Sequence, residues 1–507
     1  MPEFFVENFG CRATQADGAA LERQFEERGL SRASSAKNAS VVVLNTCTVT
    51  TGADQDARAA IRRTRRQNPK ARIIVTGCYA QRAPEEIAAL PGVDLVVGNS
   101  HKHQLAEIAA SLGQKISASR WQSTAANLAG REHGLTPEVA AFVPVASLSA
   151  GAGSPIFVAD IFAHTELLAA PVFDAANERT RPNLKVQDGC DNRCSFCVIP
   201  YVRGQSRSLE MNRIIREVNT LVDAGYREVV LSGINLGRWG RDLNSRPKTA
   251  DLGPLNLRSE VQGPRPAVRP TPDARHQAPG FTDLISAILH ETTIEKLRLS
   301  SVEPMDWCDE LIDLVASTPR IAKHAHVPMQ SGSDAVLRRM HRKYRPWHYR
   351  EKIEKIHAAM PNAAIGADVM VGFPGETNHE FEATRKMIEG LPLSYLHVFT
   401  YSPRPGTRAA DMQDQIPVHI ARERNRILRE LASEKKLAFM RSFIGKTLDA
   451  ITLNVIGTDK EGEFTEALTD NYLKLHLSAI HEANRWIRTR IKSVAGGAFI
   501  GDRVWRT

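Results

Sequence analysis

The stretch from Leu184 to Cys197 reads Leu-Lys-Val-Gln-Asp-Gly-Cys-Asp-Asn-Arg-Cys-Ser-Phe-Cys. Its first four residues predict a strand, and Cys190, Cys194 and Cys197 follow it with the spacing C-x3-C-x2-C. Three thiolates on one tight loop can hold three irons of a [4Fe-4S] cluster and leave the fourth iron open to a small molecule. The spacing therefore predicts a cluster in which one iron has no protein ligand.

Zinc is the competing interpretation of the same loop. A structural zinc site usually takes four protein ligands, and no His or further Cys lies between Arg181 and Glu210 to complete such a set. The loop therefore favours the open cluster.

Around this loop, short β-rich runs alternate with helical patterns. The alternation predicts a partial barrel of six strand–helix steps, with its chemistry at the C-terminal ends of the strands. The predicted strands are Leu184–Gln187, Glu228–Ser232, Lys296–Ser300, His326–Met329, Ala364–Met370 and Tyr395–Tyr401, and the predicted helices include Leu209–Ala224, Ala335–Met340 and Tyr349–Ala359.

Two segments stand outside this pattern. Residues 242–280 carry seven of the chain's 27 prolines, which predicts a disordered insertion because such a segment buries too little apolar surface to offset its ordering entropy. Residues 113–180 are rich in Ala, Ser and Gly and give no firm prediction.

The first hundred residues show a second α/β pattern. Val41–Leu44 and Arg72–Val75 predict buried parallel strands, and Asp54–Gln67 predicts the helix between them. Three cysteines, Cys11, Cys47 and Cys78, fall on loops of this unit, at the edge where open α/β sheets gather ligands. Each could be a buried structural thiol, and together they could form a second three-thiolate cluster site; the residues alone leave both interpretations open.

The C-terminal residues change pattern again. From about Met440, short runs such as Leu448–Ile456 and Phe499–Trp505 predict a small all-β domain. The seventh cysteine, Cys308, begins a predicted helix with no partner cysteine nearby and is interpreted as structural.

Composition sets broad limits. The 507 residues suffice for two to four domains, and 66 Lys+Arg against 57 Asp+Glu give a net charge of +9, which is compatible with an RNA partner without requiring one. Residues 1–20 lack a secretory pattern, and the longest uncharged window, residues 139–159, is broken by Pro and Gly. The sequence predicts a cytoplasmic protein without a membrane span, whose seven cysteines include metal ligands.

Taken in order, the motifs resemble the methylthiotransferase family of radical S-adenosylmethionine enzymes. They are Asn8–Cys11, Leu44–Cys47, Val75–Cys78, Gln187–Pro200, Arg203-Gly204, Arg298–Pro304, His326–Ser333, Gly366–Thr377 and Tyr401–Thr407. The resemblance implies an α/β protein of three domains: an N-terminal methylthiotransferase domain (1–165), a radical S-adenosylmethionine core built as a partial (β/α)6 TIM-like barrel (181–410), and a TRAM-like RNA-binding β-barrel (441–507).

The resemblance also implies the cofactors and partners. Cys190, Cys194 and Cys197 would hold the catalytic [4Fe-4S] cluster that binds S-adenosylmethionine. Cys11, Cys47 and Cys78, called the dispersed cysteines below, would hold an auxiliary [4Fe-4S] cluster. The implied partners are the anticodon loop of tRNA and an electron donor such as flavodoxin or ferredoxin.

Family branches differ in substrate. The run Leu396–Phe399, followed by Tyr401–Gly406, looks most like the branch that modifies threonylcarbamoyladenosine beside the anticodon. The pair Arg404-Pro405 speaks against the branch that modifies a ribosomal-protein aspartate. The isopentenyladenosine branch shares Arg-Pro-Gly and stays open, as does a non-catalytic, zinc-stabilised RNA-binding protein.

Further residues are predicted to contact the cofactor or substrate: Phe196, Gly233, Asn235, Glu303, Gln330 and Gly372. An aromatic could pack on the adenine of S-adenosylmethionine, polar groups past strand ends could bind its polar atoms, and a glycine permits close backbone approach. Each also has an ordinary alternative: core packing for the aromatic, turns for the residues around the glycines and surface positions for the polar groups.

Two basic runs predict RNA contacts. Residues 338–345 include Arg342 and Lys343 beside an aromatic, and residues 485–492 include Arg485 and Arg488. A solvated helix end and a charged strand face are the alternatives.

Overall fold

The computed structural model describes residues 2–113, 154–164, 167, 180–243, 279–459 and 462–504. The predicted insertion at 242–280 lies almost entirely outside the described residues, as does most of the 113–180 segment. The described ranges form an α/β unit, a partial parallel barrel and a closed antiparallel-rich barrel, in chain order.

The N-terminal unit is a six-stranded parallel sheet in the order β2-β1-β3-β4-β5-β6. Its strands are β1 Glu3–Asn8, β2 Ser31–Arg32, β3 Val41–Thr46, β4 Arg72–Gly77, β5 Leu95–Gly98 and β6 Ile156–Phe157. Its helices are α1 Arg12–Glu26, α2 Thr51–Gln67, α3 Cys78–Arg82, α4 Pro84–Ala88 and α5 Leu105–Gly113.

Strands β3 and β4 are apolar on both faces because separate clusters cover them. Val42 and Val75 belong to one buried cluster, while Val43 and Ile74 belong to the other. Both predicted strands are confirmed. The predicted helix between them begins three residues earlier, because Thr50 caps it by accepting from the backbone N–H of Ala53 at 3.2 Å.

The central unit carries six parallel strands and confirms the predicted partial barrel. They are β7 Asn183–Asp188, β9 Glu228–Gly233, β10 Lys296–Leu299, β11 His324–His326, β12 Ala364–Val371 and β13 Tyr395–Thr400, with the short β8 Arg207–Ser208 antiparallel to β7. They run in the order β8-β7-β9-β10 and β11-β12-β13, and a bridge between Leu297 and Ile321 links the two sheets. The covering helices are α6 Ile199–Arg203, α7 Met211–Asp223, α8 Phe281–Glu291, α9 Asp309–Ser317, α10 Asp334–Arg339, α11 Pro346–Ala359 and α12 Asn378–Gly390.

One predicted strand is wrong in its bounds. The sequence predicts His326–Met329, whereas β11 ends at His326. Pro328 has no N–H to donate, and Gln330 takes a left-handed backbone with φ of 61°. The ladder therefore breaks after His326, although Val327 and Met329 still donate to β12 at 2.8 and 3.1 Å.

The C-terminal unit confirms the predicted all-β domain. After the helix α13, Val418–Arg441, five strands close into a barrel in the order β14-β15-β16-β18-β17. They are β14 Thr447–Asp459, β15 Gly462–Thr469, β16 Lys474–Ser478, β17 Trp486–Ala495 and β18 Ala498–Arg503. None of the helices in the described ranges is both long and apolar enough to cross a bilayer.

The N-terminal unit covers the open side of the partial barrel. On the β7 side, Asn183 donates to the backbone carbonyl of Arg12 at 2.9 Å. On the β13 side, Arg404 forms an ion pair with Asp54 of α2 at 2.6 Å. The unit therefore bridges the first and last barrel strands, and its sheet edge faces the barrel opening.

Candidate functional site

The C-x3-C-x2-C loop leaves the end of β7 through a position that only glycine fits. Gly189 has a φ of 70°, and a Cβ there would lie 1.9 Å from the carbonyl oxygen of Gln205. The side chain of Gln187, fully buried, donates to the carbonyls of Asp188 and Gly189 at 2.9 and 2.8 Å. The turn into Cys190 is thus fixed by the strand that precedes it.

The far side of the loop is fixed by the barrel. The backbone N–H of Ser195 donates to the carbonyl of Met340 at 3.1 Å, and its hydroxyl donates to the carbonyl of Arg339 at 2.8 Å. The N–H of Ala409 donates to the carbonyl of Ser195 at 2.8 Å. The loop is therefore held at its start and at Ser195, which preorganises its three thiols.

The thiols of this loop lie close enough to influence one another. Burial, followed by the neighbouring Cys194, raises the pKa of Cys197 to about 12. Burial also raises the pKa of Cys190 to about 11, although the N–H of Asn192 donates to its Sγ at 3.4 Å and favours the thiolate. A metal that binds cysteines displaces their protons, so a loop that brings three cysteines together suits a metal site.

Arg342 supplies a cation to this loop. It is buried, donates to the Sγ of Cys194 at 3.3 Å, and pairs with Glu303. Although burial opposes its charge, Tyr344, Glu303 and Cys194 hold its pKa well above the ordinary value. This position does not suit the phosphate contact predicted from the basic run, and Arg342 is a neighbour of the thiols instead.

The dispersed cysteines converge as their strands do. Thr46 and Gly77 are partners in register at the ends of β3 and β4, so Cys47 and Cys78, one residue further, emerge side by side. A Cβ at Gly10 would lie 2.8 Å from the Sγ of Cys47, which places the loop carrying Cys11 against that thiol. Burial, then the thiols of Cys78 and Cys11, raise the pKa of Cys47 to about 12.

The short helix α6 joins the two cysteine sets. It begins two residues after Cys197, and Val198 and Val202 pack on Cys78. Asn99 donates to the Sγ of Cys78 at 3.5 Å and to the carbonyl of Val202 at 2.7 Å. One turn of helix therefore sets the spacing of the two sets.

A buried ion network lies beside both sets. Asp17 of α1 pairs with Lys102 at 3.0 Å, with Arg203 at 3.0 Å and with Lys185 of β7. Asp188 pairs with Lys185 at 2.8 Å and with Arg203 at 3.0 Å. Burial alone would raise the pKa of Asp17, but the cations outweigh it and hold that pKa below its ordinary value. Three cations against two carboxylates leave one net positive charge near the thiols.

Sequence reasoning missed this network. Asp17 and Lys102 sit in helical, mixed-polarity stretches that look like solvated helix faces, and nothing local pairs them with β7. The available signal was the charged residue Lys185 between the apolar residues Leu184 and Val186 of a predicted strand.

Removing Arg203 should destabilise the fold. We expect Arg203→Met to lower the free energy of unfolding by about 3–5 kcal/mol, because Asp17 and Asp188 would stay buried with fewer partners. Urea denaturation measures the change. The matched control is Arg216→Met on the exposed face of α7, which should stay within about 0.5 kcal/mol of wild type; an equal, small effect of both would contradict the role given to the network.

Three of the other residues predicted to contact the cofactor lie in or next to the cysteine loop. Asn235 is buried and donates to the Sγ of Cys190 at 3.7 Å, and Gly233 packs on Gln187. Phe196 meets Phe373 edge-on at 6.4 Å. These three lie at the cysteine loop.

Gln330 and Gly372 lie further along the strand ends. The N–H of Gln330 donates to the carbonyl of Asp368 at 2.8 Å, so its backbone belongs to the sheet. A Cβ at Gly372 would lie 2.6 Å from the Cβ of Ala421, so helix packing already requires this glycine. Glu303 faces Arg342, as described above.

The remaining basic residues predicted to contact RNA are solvent-accessible. Lys343 and Arg485 are exposed, and Arg488 projects from the outer face of β17. On that face Arg490 and Lys492 are exposed as well, because the alternate residues of the strand point into the barrel core. The strand thus presents a basic row that the sequence pattern indicated.

Two family models match the chain. The model described as Uncharacterized protein family UPF0004 matches residues 3–98, and the Radical SAM superfamily model matches residues 184–388. The first covers the unit with the dispersed cysteines, and the second begins at the strand that leads into the cysteine loop.

Curated relatives match nearly the whole chain. Threonylcarbamoyladenosine tRNA methylthiotransferase MtaB of Aquifex aeolicus is 34% identical over 96% of this chain and 99% of its own length. Its namesake in Bacillus subtilis is 34% identical over 92% and 88%. The tRNA-2-methylthio-N(6)-dimethylallyladenosine synthase of Endomicrobium trichonymphae is 26% identical over 99% and 100%.

A solved structure shares the fold. The radical S-adenosylmethionine methyltransferase TsrM of Kitasatospora setae, with cobalamin and a [4Fe-4S] cluster bound, superposes with a TM-score of 0.51 at 14% identity. The match covers 81% of this chain and 77% of that one.

Proposed function

Because this chain belongs to the family of radical S-adenosylmethionine tRNA methylthiotransferases, we propose that its substrate is N6-threonylcarbamoyladenosine beside the tRNA anticodon. The family transfers a methylthio group, and the proposed position is carbon 2 of the adenine. The relatives with 34% identity, both named for threonylcarbamoyladenosine, support this substrate. The relative named for dimethylallyladenosine is 26% identical over a similar length.

The C–H bond at carbon 2 of adenine is unactivated. A side chain tuned near neutral pH cannot remove that hydrogen as a proton, so a one-electron route is required. A reduced [4Fe-4S] cluster held by this chain would supply that one-electron route by cleaving bound S-adenosylmethionine.

The residues of this chain fit such a group. Cys190, Cys194 and Cys197 would be its three ligands, since their thiols converge on one held loop. Donors reach the sulfurs of Cys190 and Cys194 from Asn235 and Arg342, and hydrogen bonds of this kind tune a cluster. Reduction needs an external electron donor, of the flavodoxin or ferredoxin class.

The dispersed set fits a second [4Fe-4S] cluster that carries the sulfur to be transferred. Cys11, Cys47 and Cys78 would hold it, and the net positive network beside them offsets the charge of three thiolates. Because Val198 and Val202, which flank and belong to α6, pack on Cys78, the two cysteine sets would hold their clusters on either side of this short helix.

The tRNA itself would bind across the C-terminal barrel. The basic row of Arg488, Arg490 and Lys492 on β17 suits phosphate contacts, and Lys343 and Arg485 add exposed cations. A tRNA substrate also supports a cytoplasmic location for the protein. The domain limits 1–165, 181–410 and 441–507 are part of this proposal.

The decisive experiment is nucleoside analysis. The chain is expressed in a host whose tRNA lacks both the 2-methylthio-threonylcarbamoyl and the 2-methylthio-isopentenyl nucleosides. The tRNA nucleosides of that host are then examined by mass spectrometry. We expect the 2-methylthio form of threonylcarbamoyladenosine to appear, and to be absent when Cys194→Ala is expressed instead. Appearance of 2-methylthio-isopentenyladenosine alone would overturn the substrate and leave the family reaction intact.

A further inference from the structure

A polar cluster lies inside the partial barrel, on β11, β12 and β13, and contains none of the six cysteines of the two sets. The Nε2 of His326 lies 3.1 Å from Asp368, and its Nδ1 lies 3.0 Å from the hydroxyl of Tyr395. The ring of His397 stacks 5.5 Å from that of His326. Register places Asp368 directly opposite His397 on neighbouring strands.

The cluster faces the lumen of the barrel. The intervening residues Ala325, Ala367 and Val369 point to the helix side and are fully buried in the main core. The cluster residues point the other way, where Asp368 keeps a quarter of its side-chain surface and His397 is exposed. Next along β13, Phe399 is 48% exposed. A ligand entering the lumen would therefore meet these side chains.

The charge around the cluster favours an acidic group. Arg12, directly after Cys11, donates to the hydroxyl of Tyr472 at 2.7 Å, and no carboxylate in the described part of the chain pairs with it. Tyr472 also lies against Arg181 and Arg298, which share the single carboxylate Glu228. This end of the lumen has a surplus of guanidinium groups.

We propose that His326, Asp368, His397 and Arg12 bind the polar, acidic substituent on N6 of the substrate adenosine. The inference rests on the proposed function and deepens it. A threonylcarbamoyl group offers ureido N–H and hydroxyl donors for Asp368 and the imidazoles, and a carboxylate for Arg12. A dimethylallyl group has no polar atom, so it would leave the same polar side chains buried without hydrogen-bond partners. That cost disfavours binding of a dimethylallyladenosine substrate.

The position of Arg12 also suits the geometry of the reaction. In adenine, carbon 2 and carbon 6 flank the same ring nitrogen, so an N6 group held by Arg12 keeps carbon 2 close by. Arg12 is the chain neighbour of Cys11, one of the three proposed ligands of the sulfur-carrying cluster. Binding the substituent therefore brings carbon 2 toward that set.

A divalent metal is the other occupant that this cluster could accept. The ligand atoms of His326, Asp368 and His397 lie within 4.8 Å of one another. Both ring nitrogens of His326 already have partners, however, and the guanidinium surplus repels a cation. The observations therefore favour the substituent, and the metal is an outcome that the test separates.

The test measures binding rather than turnover. Anticodon stem-loops carrying threonylcarbamoyladenosine, isopentenyladenosine or unmodified adenosine are titrated with the holoenzyme at fixed salt, without S-adenosylmethionine. Wild type should prefer the threonylcarbamoyl stem-loop. His397→Phe and Asp368→Asn should each reduce that preference about tenfold. The matched control, His357→Phe on the exposed face of α11, should keep it.

The outcomes are separable. If wild type methylthiolates threonylcarbamoyladenosine in cells and both lumen variants keep the full binding preference, this inference fails while the proposed function stands. If that product never appears in cells, the proposed function fails first. If wild type retains one equivalent of zinc or manganese that both variants lose, the cluster is a metal site and the inference is overturned.

Discussion

Replacing Cys190, Cys194 and Cys197 together with Ala should abolish cleavage of S-adenosylmethionine. We expect turnover to fall by at least about a thousandfold, because the three thiols act as one unit and none of the other four cysteines lies on this loop. Iron in the anaerobically purified protein should fall from about eight to about four atoms per chain. Detection of 5′-deoxyadenosine after chemical reduction measures the first effect, and iron analysis measures the second.

The chain provides a matched control for this variant. Cys308 is exposed at the start of α9, its thiol lies 3.8 Å from the hydroxyl of Thr282, and it belongs to neither cysteine set. Cys308→Ala should keep all the iron and full turnover. The assignment of the catalytic site would be untenable if the triple variant cleaved the cofactor at the wild-type rate.

Much of the site could be predicted because its ligands follow strands directly. Cys47, Cys78 and Cys190 come within two residues of strand ends, so predicting the strands also predicted where the thiols gather. The strands themselves could be predicted because Val41–Leu44 of β3 and Ile73–Val75 of β4 are continuous apolar runs, as burial on both faces requires. For these strands, the local apolar pattern predicted the buried position that the structure shows.

Arg342 is a residue whose position could not be predicted from the sequence pattern. In sequence it lies within a basic run, which resembles a solvated helix end. In the structure α10 ends at Arg339, and His341 takes a left-handed φ of 57°, so the chain reverses and turns Arg342 inward to Cys194. A single residue of unusual backbone conformation decided the direction of that side chain, and no periodicity encodes it.

The ion network shows a second limit. Its members come from α1, from the turn before α5, from β7 and from α6, so no window of sequence contains a pair across the two units. Burial of Lys185 in a strand signals that a carboxylate must exist, but not which one. The partners of such buried charges are determined by how the two units pack together. The sequence pattern of either unit does not predict that packing.

The dispersed cysteines should separate the two halves of the reaction. We expect the Cys11→Ala, Cys47→Ala and Cys78→Ala triple variant to keep cleaving S-adenosylmethionine while losing methylthiolation by at least about a thousandfold. The reason is positional: the loop of Cys190, Cys194 and Cys197 is held by hydrogen bonds of Gln187 and Ser195 to backbone groups of the central unit.

This variant should again lose about four of about eight irons, but from the other site. Release of 5′-deoxyadenosine and mass spectrometry of the tRNA nucleosides, run on the same sample, give the two readouts, with Cys308→Ala as the control for cysteine replacement. Cys78 packs on Val202, so retained folding is checked by stem-loop binding. Should methylthiolation persist, the sulfur would have to come from elsewhere; should cofactor cleavage vanish with it, the two sets would act as one site. Release of 5′-deoxyadenosine with no methylthiolated nucleoside is the result expected of two spatially separate sites.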